Sequence, residues 1–297
     1  VLMLGIPAAI AGCREIVLCS PPGKDGKIHP AILYAAKTAG IEKVFAVGGV
    51  QAIGAMAYGT ETIPAVYKIF GPGNQYVTAA KQLINREGVA IDMPAGPSEV
   101  MVVADDTASP EFVAADLLSQ AEHGPDSQVV LLTTSDTLVP RVLESIESQL
   151  QILPRANIAR QALENSVAIL VSDETAIVEI ANHYAAEHLI LALDEPLSIA
   201  GKIINAGSVF LGHYSPESVG DYASGTNHTL PTNGYARMYS GVSLDAFVKK
   251  ITYQQLTPEG IQNIGPHVAV MAAAESLDAH RLAVTVRLDA LSKSNRS

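Results

Sequence analysis

Four stretches of this sequence carry side chains suited to binding a metal ion, moving protons or holding a phosphate. The first is Leu118-Ser119-Gln120-Ala121-Glu122-His123-Gly124-Pro125. If Pro110 to His123 is a helix, Asp116, Gln120 and His123 share the face opposite Val113 and Leu117, and Gly124-Pro125 ends the helix at once. Imidazole is the commonest protein ligand for zinc, and an i, i+3 pair can present two donors to one ion. A helix-capping His beside a solvated Gln fits the same spacing. The second stretch is Glu187-His188, at the head of a strand. Together they could transfer protons, yet neighbours on a strand point to opposite faces, so both serve one reaction only if the backbone bends there. A solvated Glu beside a half-buried His is the alternative. The third is the irregular run from Ser215 to His228, long enough to be a functional loop, in which Asp221 and His228 could bind a metal or Asp221 could cap a turn. The fourth is a pair of turns, Gly48-Gly49-Val50-Gln51 and Gly71-Pro72-Gly73-Asn74, each placed between a strand and a helix. Glycine there lets backbone amides approach a phosphate at a helix start, although neither turn is G-x-G-x-x-G and glycine serves backbone angles equally well.

The elements that must position these residues alternate along the chain. Short β-branched runs (Ile16–Cys19, Val44–Val47, Tyr67–Phe70) are separated by helical stretches over His29–Ala39 and Ala52–Tyr58, the rhythm of βαβ units and a parallel sheet. Ile91-Asp92-Met93-Pro94-Ala95-Gly96-Pro97-Ser98-Glu99 is a rigid crossing and the expected domain boundary. Strand Val100–Ala104 follows, then Ser109-Pro110 as N-cap and first residue of the Gln120 helix. The alternation continues through strands Val129–Leu132, Ala168–Val171 and Ser208–Gly212, with helices near 138–153 and 175–184. From about Ser243 it stops, and helices are expected at Pro258–Ile264 and Val268–Leu288. This tail is too short for a core of its own and must pack on the rest of the protein or on a partner. The domains expected are therefore 1–97, 98–242 and 243–297.

At 297 residues, with 48% hydrophobic and 16% charged residues, the chain suits a globular protein of two domains with substantial cores. No apolar run approaches the roughly 20 residues of a membrane span, so no membrane is expected. A net charge of −11 without a Lys/Arg stripe argues against a nucleic-acid partner. The two cysteines, Cys13 and Cys19, form no disulfide framework, and a cytoplasmic setting is expected. The opening Val1-Leu2-Met3-Leu4 lies inside an apolar helical pattern without initiator Met or cap, and is read as starting within a longer protein.

The motifs Ile91–Glu99, Ser119–Gln128, Glu187-His188-Leu189, Gly220–His228, Ala272-Ala273-Ala274-Glu275 and Ala279-His280 occur in an order that resembles the histidinol dehydrogenase family from end to end. The resemblance implies an α/β protein of two incomplete Rossmann-like parallel-sheet domains with a small helical C-terminal tail. Family members carry a further upstream portion that includes a Tyr near the NAD site. The implied activity is oxidation of L-histidinol to L-histidine through L-histidinal, with zinc and two NAD molecules used in sequence. It further implies zinc ligands Gln120, His123, Asp221 and His280, an acid–base pair Glu187 and His188, substrate contacts at Ser98, His188 and Glu275 besides the zinc ligands, and NAD contacts at Gln51 and Asn74. Because His280 reaches the other subunit's site in the family, a homodimer with exchanged tails and a shared site is implied.

The chemistry of these residue types suits those roles. Zinc held by two His, one Asp and one Gln keeps positive charge and can orient a substrate's imidazole and amino nitrogens. Neutral His188 can accept the hydroxyl proton as hydride leaves, Glu187 can activate water for the second oxidation, and His228 is a candidate partner to the ligands. A zinc hydrolase using Glu187 to activate water, and a non-catalytic ligand-binding protein on the same scaffold, are the alternatives.

Overall fold

The computed structural model describes residues 1–93 and 96–294. Pro94 and Ala95 of the expected crossing, and residues 295–297, lie outside the described residues. The chain divides into two compact units, Val1–Val248 and Lys249 onward.

The first unit begins with α1 (Leu2–Ile10), β1 (Val17–Cys19), α2 (Pro30–Thr38), β2 (Lys43–Phe45), α3 (Gly49–Tyr58), β3 (Lys68–Ile69), α4 (Gln75–Arg86) and β4 (Ala90–Ile91). Here β1 pairs parallel with β2 and β3 with β4, giving two short separate ribbons. Gly48 and Asn74 are the N-caps of α3 and α4, so both glycine-bearing turns run directly into helices.

The same unit continues with β5 (Glu99–Ala104), α5 (Pro110–Ala121), β6 (Gln128–Thr133), α6 (Leu138–Leu150), α7 (Ala156–Leu163), β7 (Val167–Leu170), α8 (Glu174–Tyr184), β8 (His188–Ala192), α9 (Leu197–Ala200), β9 (Ser208–Leu211) and α10 (Glu217–Tyr222). The sheet order is β7-β6-β5-β8-β9, parallel throughout. Every residue of β5 and β8 is buried, which is why these strands read as unbroken apolar runs: both faces are covered. Val100, Val102 and Ile190 pack with Val113, Leu117 and Leu118 of α5 on one face; Met101, Val103, Leu189 and Leu191 pack with Ile177 and Ala181 of α8 on the other.

In the second unit α11 (Pro258–Ala274) and α12 (Asp278–Ser294) form a helical hairpin. Helix boundaries differ from the expected Pro258–Ile264 and Val268–Leu288. Pro266 sits inside α11, and the break falls instead at Ser276, whose φ of 59° turns the chain. Gly265 lets the helices meet, since a Cβ there would stand 3.0 Å from Val284 Cγ1.

Candidate active site

The Glu187-His188 pair is set by a bend. Ala185 closes α8 in the left-handed conformation at φ 58°, and the backbone bends again at Glu187 before β8 begins at His188. The two side chains therefore escape the alternation of a regular strand, and Glu187 Oε2 lies 3.6 Å from His188 Nδ1. Both are buried, at 7% and 3% exposure. Gly207 permits this closure, for a Cβ there would lie 2.5 Å from the Glu187 carbonyl oxygen.

The stretch Ser215–His228 is less irregular than its sequence suggests. It contains α10, whose i, i+4 pair Glu217 and Asp221 faces His188: Glu217 Oε2 is 3.7 Å from Nδ1, and Asp221 Oδ1 is 3.7 Å from Nε2. The Phe210 ring of β9 stacks on His188 with centroids 6.0 Å apart.

Helix α5 supplies Gln120, but the helix ends at Ala121, two residues earlier than its pattern implies. Gln120 is 1% exposed and turned inward, so the polar face of α5 looks into a buried cluster rather than away from the core. Its amide bonds best with Nε2 donating to Glu217 Oε1 at 2.9 Å and its oxygen accepting from the Glu99 N–H at 3.0 Å. The Glu99 N–H also donates to Glu187 Oε2 at 3.1 Å, so the two acceptors share it. His123 lies in the exposed turn beyond the helix rather than on a shared helical face, and its carbonyl accepts from Arg155.

The structure thus gathers Gln120, Glu187, His188 and Asp221. Ser98 is half-buried beside Glu99. Gln51 and Asn74 are exposed at the starts of α3 and α4, and His228 is exposed. Glu275 caps the end of α11 and His280 stands in the first turn of α12, both exposed in the second unit. Two members of the cluster had no role in the sequence reading. Glu99 was visible only as part of a motif; Glu217 accepts the Ser119 hydroxyl at 2.8 Å, and its only signal was its place four residues before Asp221. The cluster gathers where β5 and β8 begin, at the amino edge of the sheet, opposite the carboxyl edge where open α/β sheets usually bind nucleotides.

The sequence profile of the family described as histidinol dehydrogenase matches residues 1–288. The chain belongs to the histidinol dehydrogenase family. Histidinol dehydrogenase from Bacteroides fragilis strain YCH46 is 66% identical over 99% of this chain and 68% of its own length. The chloroplastic histidinol dehydrogenase of Arabidopsis thaliana is 58% identical over 97% of this chain and 62% of its own length. The crystal structure of histidinol dehydrogenase from Elizabethkingia anophelis superposes with a TM-score of 0.96 at 62% identity, covering 98% of this chain and 67% of that one. The chain spans about two thirds of the length of the relatives it matches best here. No helix among the described residues is long and apolar enough to cross a membrane.

For a histidinol dehydrogenase family member the electrostatics of the cluster are informative. Burial pushes the Glu99 and Glu187 carboxyls up to about 7 and Glu217 to about 6. Burial, with the charge of Glu217 adding to it, raises Asp116 to about 7. Burial alone would lower His188, but Asp221, Glu187 and Glu217 outweigh it and hold the imidazole up at about 9. Glu99 Oε1, Glu217 Oε2 and His188 Nε2 are buried without a hydrogen-bond partner. The cluster is rich in acceptors, and the side-chain oxygens of Gln120 and Asp221 within it are donors that zinc accepts. Gln120 and Asp221 fit the metal by their chemistry, whereas His123 lies in the exposed turn after α5 and His280 belongs to the second unit. Among the described residues no three His, Cys, Asp or Glu side chains stand together as a metal site.

Asp116 provides a stability test. Its carboxyl rises from an ordinary 3.8 to about 7, so the folded state holds it neutral and the cost of burying its charge appears only as pH climbs through that window. Asp116→Asn should therefore stabilise the protein at about pH 8 by on the order of 1–3 kcal/mol, with the gain fading as pH falls toward about 4. Thermal unfolding at several pH values checks this; a gain independent of pH would refute it.

Proposed function

We propose that the full-length protein oxidises L-histidinol to L-histidine through L-histidinal in the cytoplasm, using NAD and zinc. L-Histidinol, two NAD⁺ and water give L-histidine, two NADH and three protons. The observation that carries this reading is the meeting of buried Gln120, Glu187 and His188 with half-buried Asp221, four residues from three separate segments.

Gln120, His123, Asp221 and, from a partner subunit, His280 would hold zinc, with Ser98 and Glu275 completing the substrate contacts. When bound there, zinc would supply positive charge that orients the substrate's imidazole and amino nitrogens and lowers the proton affinity of bases beside it. His188, enclosed by Phe210 and the carboxylates, keeps its proton up to about 9 without the metal; with zinc's charge beside it, its proton affinity would fall and it would be the group that accepts the carbinol proton in the oxidation for which NAD supplies the hydride acceptor. Glu187, its carboxyl pushed up to about 7, is poised to take a proton from the water that hydrates the aldehyde. The hydrated aldehyde is again an alcohol, so His188 can repeat its task. Burial of the pair keeps bulk water away from the aldehyde between the two steps.

For NAD, we assign Gln51 and Asn74, and with them residues 1–97 as the dinucleotide-binding half beside a catalytic half, 98–242. Asn74 Oδ1 already accepts from the Tyr76 and Val77 N–H groups, which leaves its amide N–H groups for a ligand. The tail, 243–297, would be the exchanged element of a homodimer. Support comes from its uncovered apolar side chains: Val270, Met271 and Leu282 are 71%, 65% and 60% exposed.

The test is NADH formation by the full-length protein from L-histidinol and NAD. Two NADH per histidinol, abolished by a chelator and restored by zinc, is the expected result. No NADH from folded, zinc-loaded protein would overturn the proposal and return attention to hydrolysis or simple binding.

A further inference from the structure

The first half of the chain contains a buried ion pair that the chemistry above does not use. Lys81 of α4 and Asp92, just after β4, form a salt bridge with side-chain exposures of 6% and 2%. Removing two charges from water offsets most of their attraction, so such a pair is a poor source of stability by itself. Its other bonds show what it holds. Asp92 Oδ2 accepts the Gly71 N–H at 2.8 Å, and Lys81 Nζ donates to the Gly71 carbonyl at 2.9 Å. Asp92 Oδ1 accepts the Met93 N–H at 2.8 Å. Both polar backbone groups of one residue are thus clamped by two buried charges that neutralise each other.

That residue opens the turn Gly71-Pro72-Gly73-Asn74. Gly71 has φ +134°, a conformation other residues adopt only under strain, and Pro72 fixes the next φ. At Gly73 a Cβ would stand 2.4 Å from Val77 Cγ1, so the turn lies directly against the first coil of α4. The clamp, the proline and this contact leave Asn74 on a turn with little freedom of its own.

We propose that Lys81 and Asp92 are positioning residues for the dinucleotide: their buried ion pair clamps Gly71 and so pre-orders the Gly71–Asn74 turn that receives NAD. The inference rests on the assignment of NAD to Gln51 and Asn74. Neither charged group reaches the ligand, since both are buried; they act by having ordered the turn before binding, which spares NAD the cost of ordering it.

The test uses the full-length enzyme and the double variant Lys81→Met/Asp92→Asn, which removes both charges and leaves no unpaired ion in the interior. The expected result is a folded protein whose KM for NAD and Kd for NADH rise roughly tenfold, while the KM for histidinol stays within about twofold. An unchanged KM for NAD in the double variant would overturn the inference alone, provided Gln51→Ala and Asn74→Ala each raise it. If those two variants also leave it unchanged, the NAD assignment and the inference fall together. Hydrogen exchange of the unmodified protein without NAD gives a measurement that needs no variant to fold. The Gly71 amide should be strongly protected, and exchange at the rate of an open loop would overturn the clamp.

Discussion

Replacing His188 with asparagine in the full-length protein is expected to lower kcat for histidinol oxidation by about 10²- to 10⁴-fold, the range a positioned general base contributes. The imidazole is surrounded rather than merely buried. Its Nδ1 faces the Glu99 carbonyl at 3.4 Å with Glu187 and Glu217 just beyond, and its Nε2 faces Asp221 and has no hydrogen-bond partner. Asparagine is polar and smaller, so it can keep a hydrogen bond to the Glu99 side of the pocket while losing any proton-accepting nitrogen. The fold should survive and, on the proposed role of His188 as the base, the KM values should change much less than kcat. A kcat within about threefold of the parent would show that His188 is not the base.

The second large effect concerns how the site is completed. His280→Asn should strip the metal and the activity together. Losing only a hydrogen-bond partner of a ligand costs about 10- to 100-fold in metal affinity, and losing a ligand should cost more. Mixing subunits then asks where His280 acts. If each site takes His188 from one subunit and His280 from its partner, unfolding and refolding the inactive His188→Asn and His280→Asn proteins together should restore about one quarter of the parental activity. Half the dimers would be mixed, and each would hold one intact site. A site contained within one subunit gives no recovery, which would refute the shared-site reading while leaving His280 a ligand. Full metal occupancy in His280→Asn would refute the ligand assignment itself.

Some of this was readable from residue order because local chemistry suffices for it. The alternation of β-branched runs and helical stretches specifies an α/β chain, and Val100–Ala104 reads as a strand from its own residues; that both faces of this strand and of β8 are covered is seen only in the fold. Type and spacing singled out Gln120, His123, Glu187 and His188 as candidates, of which the fold gathers Gln120, Glu187 and His188 and leaves His123 in an exposed turn. What tertiary structure alone decided depends on contacts between distant segments. Whether Glu187 and His188 could face one centre turned on the bend after Ala185, and the partners of His188 turned on α10 folding over β9 within reach of Phe210. The inward turn of Gln120, the inclusion of Glu99 and Glu217, and the place of the cluster at the amino edge of the sheet follow from strand register and helix packing. The Lys81–Asp92 clamp joins residues eleven apart across a helix and a strand, and nothing in their separate surroundings announces it. Periodicity says which face a residue takes within its own element; only the packed fold says which other elements that face will meet, because those contacts are set by long-range closure of the chain.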